Sequence, residues 1–292
     1  MVLKNASDVL RICTKKDISI ATLGIQYEVK NSDESADAIK SRMLNTYLQM
    51  KQSINNGLSS SESQLKGKML DSDGKKIFEY QKSKNPLSGN TTAKAVAYAL
   101  SVMDVNCSMG RIVAAPTAGS CGVLPATILS TTQTLGLDDA AAVDGLFVAG
   151  VVGVIIGRNA SLAGAQGGCQ AEVGSASAMA AAAIVSMAGG SAQMSFDGAA
   201  IALKNVLGLV CDPVAGLVEV PCAKRNAMGT ANALISADMA LSGIKSVIPF
   251  DEVVWAMDQI GQSMPTSLKE TAEGGLAATP TAKRLRKEIF GE

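Results

Sequence analysis

The chain has 292 residues, enough to bury a sizeable core as one large domain or two small ones. Its 26 basic and 26 acidic side chains cancel, so no basic excess points to nucleic acid as a partner. It has no histidine, which excludes a Ser-His-Asp triad, a histidine-ligated zinc or haem and a histidine general base within this chain. Hydrophobic residues make up 47% but aromatics only 3%, with 28 glycines. Apolar material this small favours close-packed helices over a β-sandwich, which needs aromatic and β-branched residues.

The first residues, Met1 to Asp8, have neither the apolar core nor the cleavage pattern of a secretory signal, which points to the cytoplasm. Residues 1–86 carry most of the polar runs, among them Asn55-Asn56-Gly57 and Ser59-Ser60-Ser61-Glu62-Ser63, and read as a polar helical arm. One helix is predicted there, capped by Asn31 with Glu34 three positions on and Gly57 after its end. Ile39, Met43, Leu44, Tyr47, Leu48 and Met50 give it an apolar stripe. Asp71-Ser72-Asp73-Gly74 and Asn85-Pro86 read as turns.

From Leu87 onward the pattern is a succession of Ala/Gly-rich helices separated by glycine-rich loops. Helices are predicted near 92–107, 122–135, 138–157, 172–188, 197–209, 223–242, 251–263 and 281–290. Period-2 alternation is scarce and no repeat of fixed period occurs. The predicted fold is therefore all-α: one domain over 1–292, with the polar helical arm at 1–86 packed on a core at 87–292. The basic run Lys283-Arg284-Leu285-Arg286-Lys287 reads as a solvated face of the last helix. The uncharged stretch 145–157 is too short to span a membrane. The longer one, 173–196, is mostly Ala, Ser and Gly and is broken at Gly189-Gly190, so it reads as a buried central helix. No membrane association is expected.

Four loops combine glycine with polar or sulfur side chains. Ser88-Gly89-Asn90-Thr91-Thr92-Ala93-Lys94 and Ala115-Pro116-Thr117-Ala118-Gly119-Ser120-Cys121-Gly122 each open a helix, where free amides and hydroxyls suit a carboxylate or phosphate and equally suit plain capping. The third, at 163–172, brings Gly167-Gly168 against Cys169. The fourth runs from Cys211-Asp212-Pro213 to Pro221-Cys222 and on into Ala223-Lys224-Arg225-Asn226. Structural zinc wants four ligands and usually a close Cys-x-x-Cys pair, which is missing. A [4Fe–4S] electron carrier wants four thiolates, whereas three leave one iron open as a Lewis acid. Buried, inert cysteine fits the same spacing, so composition and spacing leave both readings open.

AGAQGGCQAE at 163–172, CDPVAGLVEVPCAKRN at 211–226, APTAGSCG at 115–122 and SGNTTAK at 88–94 closely resemble the iron–sulfur-dependent L-serine dehydratases, in particular the α chain of their two-chain bacterial form. The likeness covers Leu87 to the C-terminus, and the N-terminal arm is similar as well. The resemblance implies a [4Fe–4S] cluster held by Cys169, Cys211 and Cys222 and no pyridoxal phosphate. It implies a lyase that converts L-serine to pyruvate and ammonia, with the open iron coordinating the substrate hydroxyl and carboxylate. It implies a β chain as partner. A base from this chain, which has no histidine, would have to be a carboxylate, a lysine, a cysteine or an activated hydroxyl. The resemblance implies a β chain with a serine- and histidine-containing motif, so the partner is expected to contribute part of the site. Cys121 is expected to line the site, and Cys13 and Cys107 to be packing residues. Substrate contacts are expected from Ser88, Asn90, Thr91, Thr92, Thr117 and Ser120, with Lys94 and Arg225 as carboxylate or cluster-charge partners. Three alternatives stand beside this reading: a pyridoxal-phosphate dehydratase, disfavoured because the only glycine pair near the C-terminus is Gly274-Gly275; an iron–sulfur lyase acting on L-cysteine; and a non-catalytic iron–sulfur subunit.

Overall fold

The structure, a computed structural model, describes residues 3–59 and 65–291. Most of the polar run at 59–63 lies outside the described residues. Within them the chain is all-α: no strand forms, and the extended pairings are two isolated bridges, Lys66 with Asp71 and Cys211 with Lys269.

The N-terminal region holds α1 (Ala6–Lys16), α2 (Ile20–Asn31), α3 (Ala36–Ser59) and α4 (Asp73–Ser83). Asn5 and Ser19 start the first two by accepting the amides of Asp8 and Thr22 on their side chains. The helix predicted between Asn31 and Gly57 is displaced at both ends. Asn31 is the last residue of α2, and Gly57 lies inside α3 rather than after it. Gly57 is a contact point: a Cβ there would fall 2.6 Å from the Cβ of Ser101, so only glycine lets α3 lie this close to its neighbour. The predicted turn at 71–74 is the entrance to α4, with Ser72 in the left-handed region at φ 48°. Leu3, Val9, Leu23, Ile39 and Tyr47 are buried in the same hydrophobic core as the later helices, so the polar N-terminal region wraps the core rather than standing off it.

The remaining helices are α5 (Gly89–Cys107), α6 (Val123–Leu135), α7 (Asp139–Asn159), the single turn α8 (Gly164–Gly167), α9 (Ser175–Met187), α10 (Ala192–Lys204), α11 (Cys222–Leu241), α12 (Phe250–Ser263) and α13 (Pro280–Phe290). α10 starts and stops about a turn earlier than predicted, because Ser191 caps it on the amide of Met194. α9 is the central helix, with every residue from Ser175 to Val185 buried. Its alanines let α6, α7, α10 and α11 pack closely around it. α7 is the one helix among the described residues long and apolar enough to cross a membrane, and 67% of its apolar window is buried in the protein.

Helix direction fixes where the site falls. Gly229 near the start of α11 packs on Val173 and Val123, while Leu234 and Leu241 lie with Ile184, Ala188, Thr131 and Leu135. α6, α9 and α11 therefore run parallel and begin at the same end. α5 runs against them: its Asn106 donates to Ala118 at that end, and its Asn90 and Thr91 line a cavity with Gln133 and Thr134 at the other.

Candidate metal centre

Two of the six cysteines, Cys169 and Cys211, meet where α6, α9 and α11 begin, and a third, Cys222, opens α11 at the same end. Cys169 precedes a π-turn at Gln170–Gly174 that leads into α9, an irregularity of the kind that re-aims side chains at functional positions. Gln170, fully buried, anchors that turn: its side chain donates to Met257 O (2.9 Å) and accepts the Gly208 amide (2.9 Å). Cys211 is pinned through its backbone by the segment at 268–270, its N–H donating to Leu268 O and its C=O accepting from Glu270, both at 2.8 Å. Cys222 is the first residue of α11. Asn226, one turn on, accepts the Gly122 amide (2.9 Å) and donates to Gly119 O (2.7 Å) and Cys222 O (2.9 Å), tying the loop before α6 to the start of α11.

The ligand atoms of Cys169, Glu172 and Cys211 all lie within 4.8 Å of one another, and all three residues are buried. Glu172 is one helical turn after Cys169, and its carboxylate accepts the Thr117 hydroxyl (2.7 Å) and faces the Cys211 thiol (3.9 Å). The glycines of this loop are steric necessities: a Cβ on Gly164 would come within 3.2 Å of the Cys211 sulfur and 2.5 Å of the Glu172 carboxylate. Cys222 stands outside that tight group but close enough for the charges of Cys169 and Glu172 to act on it.

Charge sorts these thiols. The Cys211 thiol donating to Cys169, helped by the Arg225 charge, holds Cys169 below the ordinary thiol range against the opposing effect of burial. The same shared proton, with burial and the charges of Cys169 and Glu172, pushes Cys211 up. Burial first, then the nearby charges of Cys169 and Glu172, pushes Cys222 up to about 12. Burial also raises Glu172. Several buried acidic groups crowded at helix N-termini, of which only Cys169 is favoured as an anion while the others are held toward their protonated forms, make a donor set that would ionise together only around a cationic centre. Soft thiolates select zinc, copper(I) or iron–sulfur clusters, so the residues present fit an iron–sulfur group.

The other predicted site residues divide in two. Thr117 and Ser120 are here, but they cap the turn at 118–120 and bond each other (3.1 Å), and Thr117 holds Glu172. Arg225 is here too, engaged by Cys169 Sγ (3.3 Å), Val210 O (2.8 Å) and Asp212 (2.8 Å), so its guanidinium already faces a thiol and a carboxylate of this chain. Ser88, Asn90, Thr91, Thr92 and Lys94 are not brought to the cysteines. They lie at or just before the first two turns of α5, a helix about 28 Å long, at the end away from Asn106, and Lys94 lies over the Tyr98 ring at 5.9 Å. Cys121 is fully buried against Met103 and Cys107 donates to Val218 O, so both pack behind the site, while Cys13 lies in the core near the N-terminus. Sequence reasoning passed over Glu172, Gln170, Asp212 and Asn226. For Glu172 a signal existed: Cys169 and Glu172 are three apart, the spacing that places two donors on one face.

Residues 15–277 match the profile of the family described as serine dehydratase alpha chain. The chain is 49% identical over 99% of its length, and 95% of the relative's, to a Bacillus subtilis protein called probable L-serine dehydratase, alpha chain. It is 44% identical, over its full length and 99% of the relative's, to the L-serine dehydratase alpha chain of Peptoniphilus asaccharolyticus. To a Streptomyces coelicolor protein called L-serine dehydratase it is 33% identical, over 94% of this chain but only 60% of that relative. Buried cysteines on the motif loops and matches of this extent agree: the chain belongs to the serine dehydratase alpha-chain family.

Proposed function

We propose that this chain is the α subunit of a two-chain L-serine dehydratase, a lyase converting L-serine to pyruvate and ammonia, and that it acts as a single unit over residues 1–292. The observation that carries the reading is the convergence of Cys169, Cys211 and the carboxylate of Glu172, with Cys222 beside them, in a member of this family. Cys169, Cys211 and Cys222 are the residues that would hold a [4Fe–4S] cluster. When bound, that cluster supplies a Lewis acid at the iron left without a protein ligand, polarising the substrate hydroxyl and carboxylate with no electron transfer.

The chain's own residues shape the surroundings. Arg225 balances thiolate charge from a position fixed by Asp212, whose other oxygen accepts the Leu276 amide (2.7 Å). Asn226 and Gln170 hold the cysteine-bearing turns in register. Thr117 orients Glu172. A shallow cavity lined by Thr117, Gly157, Ser161, Leu162, Ala163 and Gln166 leads to this end and gives a small polar substrate a way in. Removal of the α-proton needs a base; this chain offers no histidine for it, and in this reading that part falls to the partner β chain. The Streptomyces relative is in keeping with this, since about two fifths of its length has no counterpart here.

The test is an anaerobic assay of L-serine with this chain alone, with its β chain alone and with both, L-cysteine being run in parallel. Pyruvate and ammonia should appear from serine with both chains and hardly at all with either one. Full serine turnover by this chain alone would contradict the shared site, and no turnover by the iron-loaded pair would contradict the activity.

A further inference from the structure

The buried carboxylates near the cysteines differ in what answers their charge. Asp212 has Arg225 at 2.8 Å and the Leu276 amide at 2.7 Å. Glu219 accepts three consecutive backbone amides, from Lys68, Met69 and Leu70, at 2.7–3.2 Å. Glu172, only 7% exposed, has the Thr117 hydroxyl on one oxygen, and the other has no hydrogen-bond partner among the described residues except the Cys211 thiol at 3.9 Å. No lysine or arginine among the described residues forms an ion pair with it, and a Cys211 acting as a thiolate ligand has no proton to offer. Two glycines pack against the carboxylate: a Cβ on Gly119 would lie 3.0 Å from one oxygen and a Cβ on Gly164 2.5 Å from the other, so neither position leaves room for a larger residue beside it. A carboxylate taken out of water in this way is costly unless a cation meets it, and so is a substrate ammonium brought to the same place.

We propose, on the basis of the serine dehydratase reading, that Glu172 receives the α-ammonium of the substrate and thereby selects amino acids over hydroxy acids. The two buried charges offset one another only when both are present, and the pair gains charge-assisted hydrogen bonds that a hydroxyl in the ammonium's place cannot equal. Thr117 fixes the near oxygen and leaves the far one to the ligand. Arg225 cannot take this part, being of the same sign as the ammonium.

The experiment compares wild type with Glu172→Gln and Glu172→Asp in the cluster-loaded enzyme assembled with its β chain. The ligands are L-serine and L-glycerate, which carries a hydroxyl where serine carries the ammonium. Four quantities are read: KM for serine, the inhibition constant of glycerate, the serine concentration that half-saturates the change in the cluster's EPR spectrum, and iron and sulfide per chain. In Glu172→Gln the serine KM and EPR midpoint should rise about 30-fold or more. Glycerate should bind as well as before or better, iron and sulfide should be unchanged, and Glu172→Asp should recover part of the serine affinity. Equal weakening of both ligands would overturn the assignment, as would an unchanged serine-to-glycerate ratio. Loss of iron and sulfide in Glu172→Gln would overturn it too, by placing the carboxylate on the metal. Failure of the wild-type enzyme to turn over serine would instead strike the proposed function, so the two failures are distinguishable.

Discussion

The two ends of the helical bundle have similar sequences and different physics. At one end the loops before α6, α9 and α11 converge, and charged groups are buried among them: Glu172, Asp212 and an Arg225 side chain only 13% exposed. At the other end Ser88, Asn90, Thr91, Thr92 and Lys94 begin α5 beside cavities lined by threonines, Gln133 and Asp238, and only Thr92 and Lys94 among those five are even half-buried. Glycine, hydroxyls and a helix start are common to both. Burying ionisable groups costs free energy that packing alone does not require, so several of them buried together beside cysteines mark the candidate site. The far end has polar decoration without that cost.

The comparison is broken most sharply at the cysteines. Cys211→Ala should abolish serine turnover by the assembled enzyme, and retention of even a tenth of the activity would show that the cysteine end is not the site. Arg225→Met comes next. It leaves the Asp212 carboxylate buried without its cation and should lower stability by about 3–5 kcal/mol, read as a fall in the denaturation midpoint. Asp104 gives an effect of about 3 kcal/mol that depends on pH. Burial raises its carboxyl from 3.8 to about 6 despite the Gly74 amide that it accepts, and its second oxygen has no partner among the described residues. Between about pH 4 and pH 6 the folded chain therefore holds a proton that the unfolded chain has released, so stability falls as pH rises through that window. Asp104→Asn keeps an acceptor for Gly74 and should flatten that slope in denaturation curves at several pH values. Gly57→Ala drives a methyl into Ser101 and should cost about 1–3 kcal/mol without changing the serine KM. The smallest effect sharpens the comparison from the other side: Asn90→Ala at the far end should leave kcat/KM for serine within about twofold, and a tenfold loss would bring the start of α5 back into the site.

Helices from α5 onward were legible because each carries its own punctuation, such as Asp138 before α7 and Gly136 after α6, and because long alanine runs have no other stable home than a crowded core. α10 begins about a turn before its predicted start because Ser191, and not a later residue, caps it. The N-terminal region was harder. Gly57 looks like a helix stop in sequence, whereas its purpose is the close crossing with Ser101, a contact between residues far apart in the chain. The cysteines stood out by residue type and loop context. Which polar loop joined them did not, because that depends on helix direction: α5 runs opposite to α6, α9 and α11, and a motif at its start is carried a full helix length from the cysteines. Glu172 was hidden because a lone glutamate in a small-residue helix looks like ordinary surface until its burial and its missing cation are seen.

The central claim is that three cysteines of this chain share one cluster, and Cys222, the one standing apart from the tight group, is where it is most exposed to contradiction. The deciding measurement is iron and acid-labile sulfide per chain after anaerobic reconstitution, for the wild type and for Cys222→Ala. About four of each in the wild type, falling to well under half in the variant, is the predicted result. Full iron and sulfide in Cys222→Ala, or none in the wild type, would contradict it.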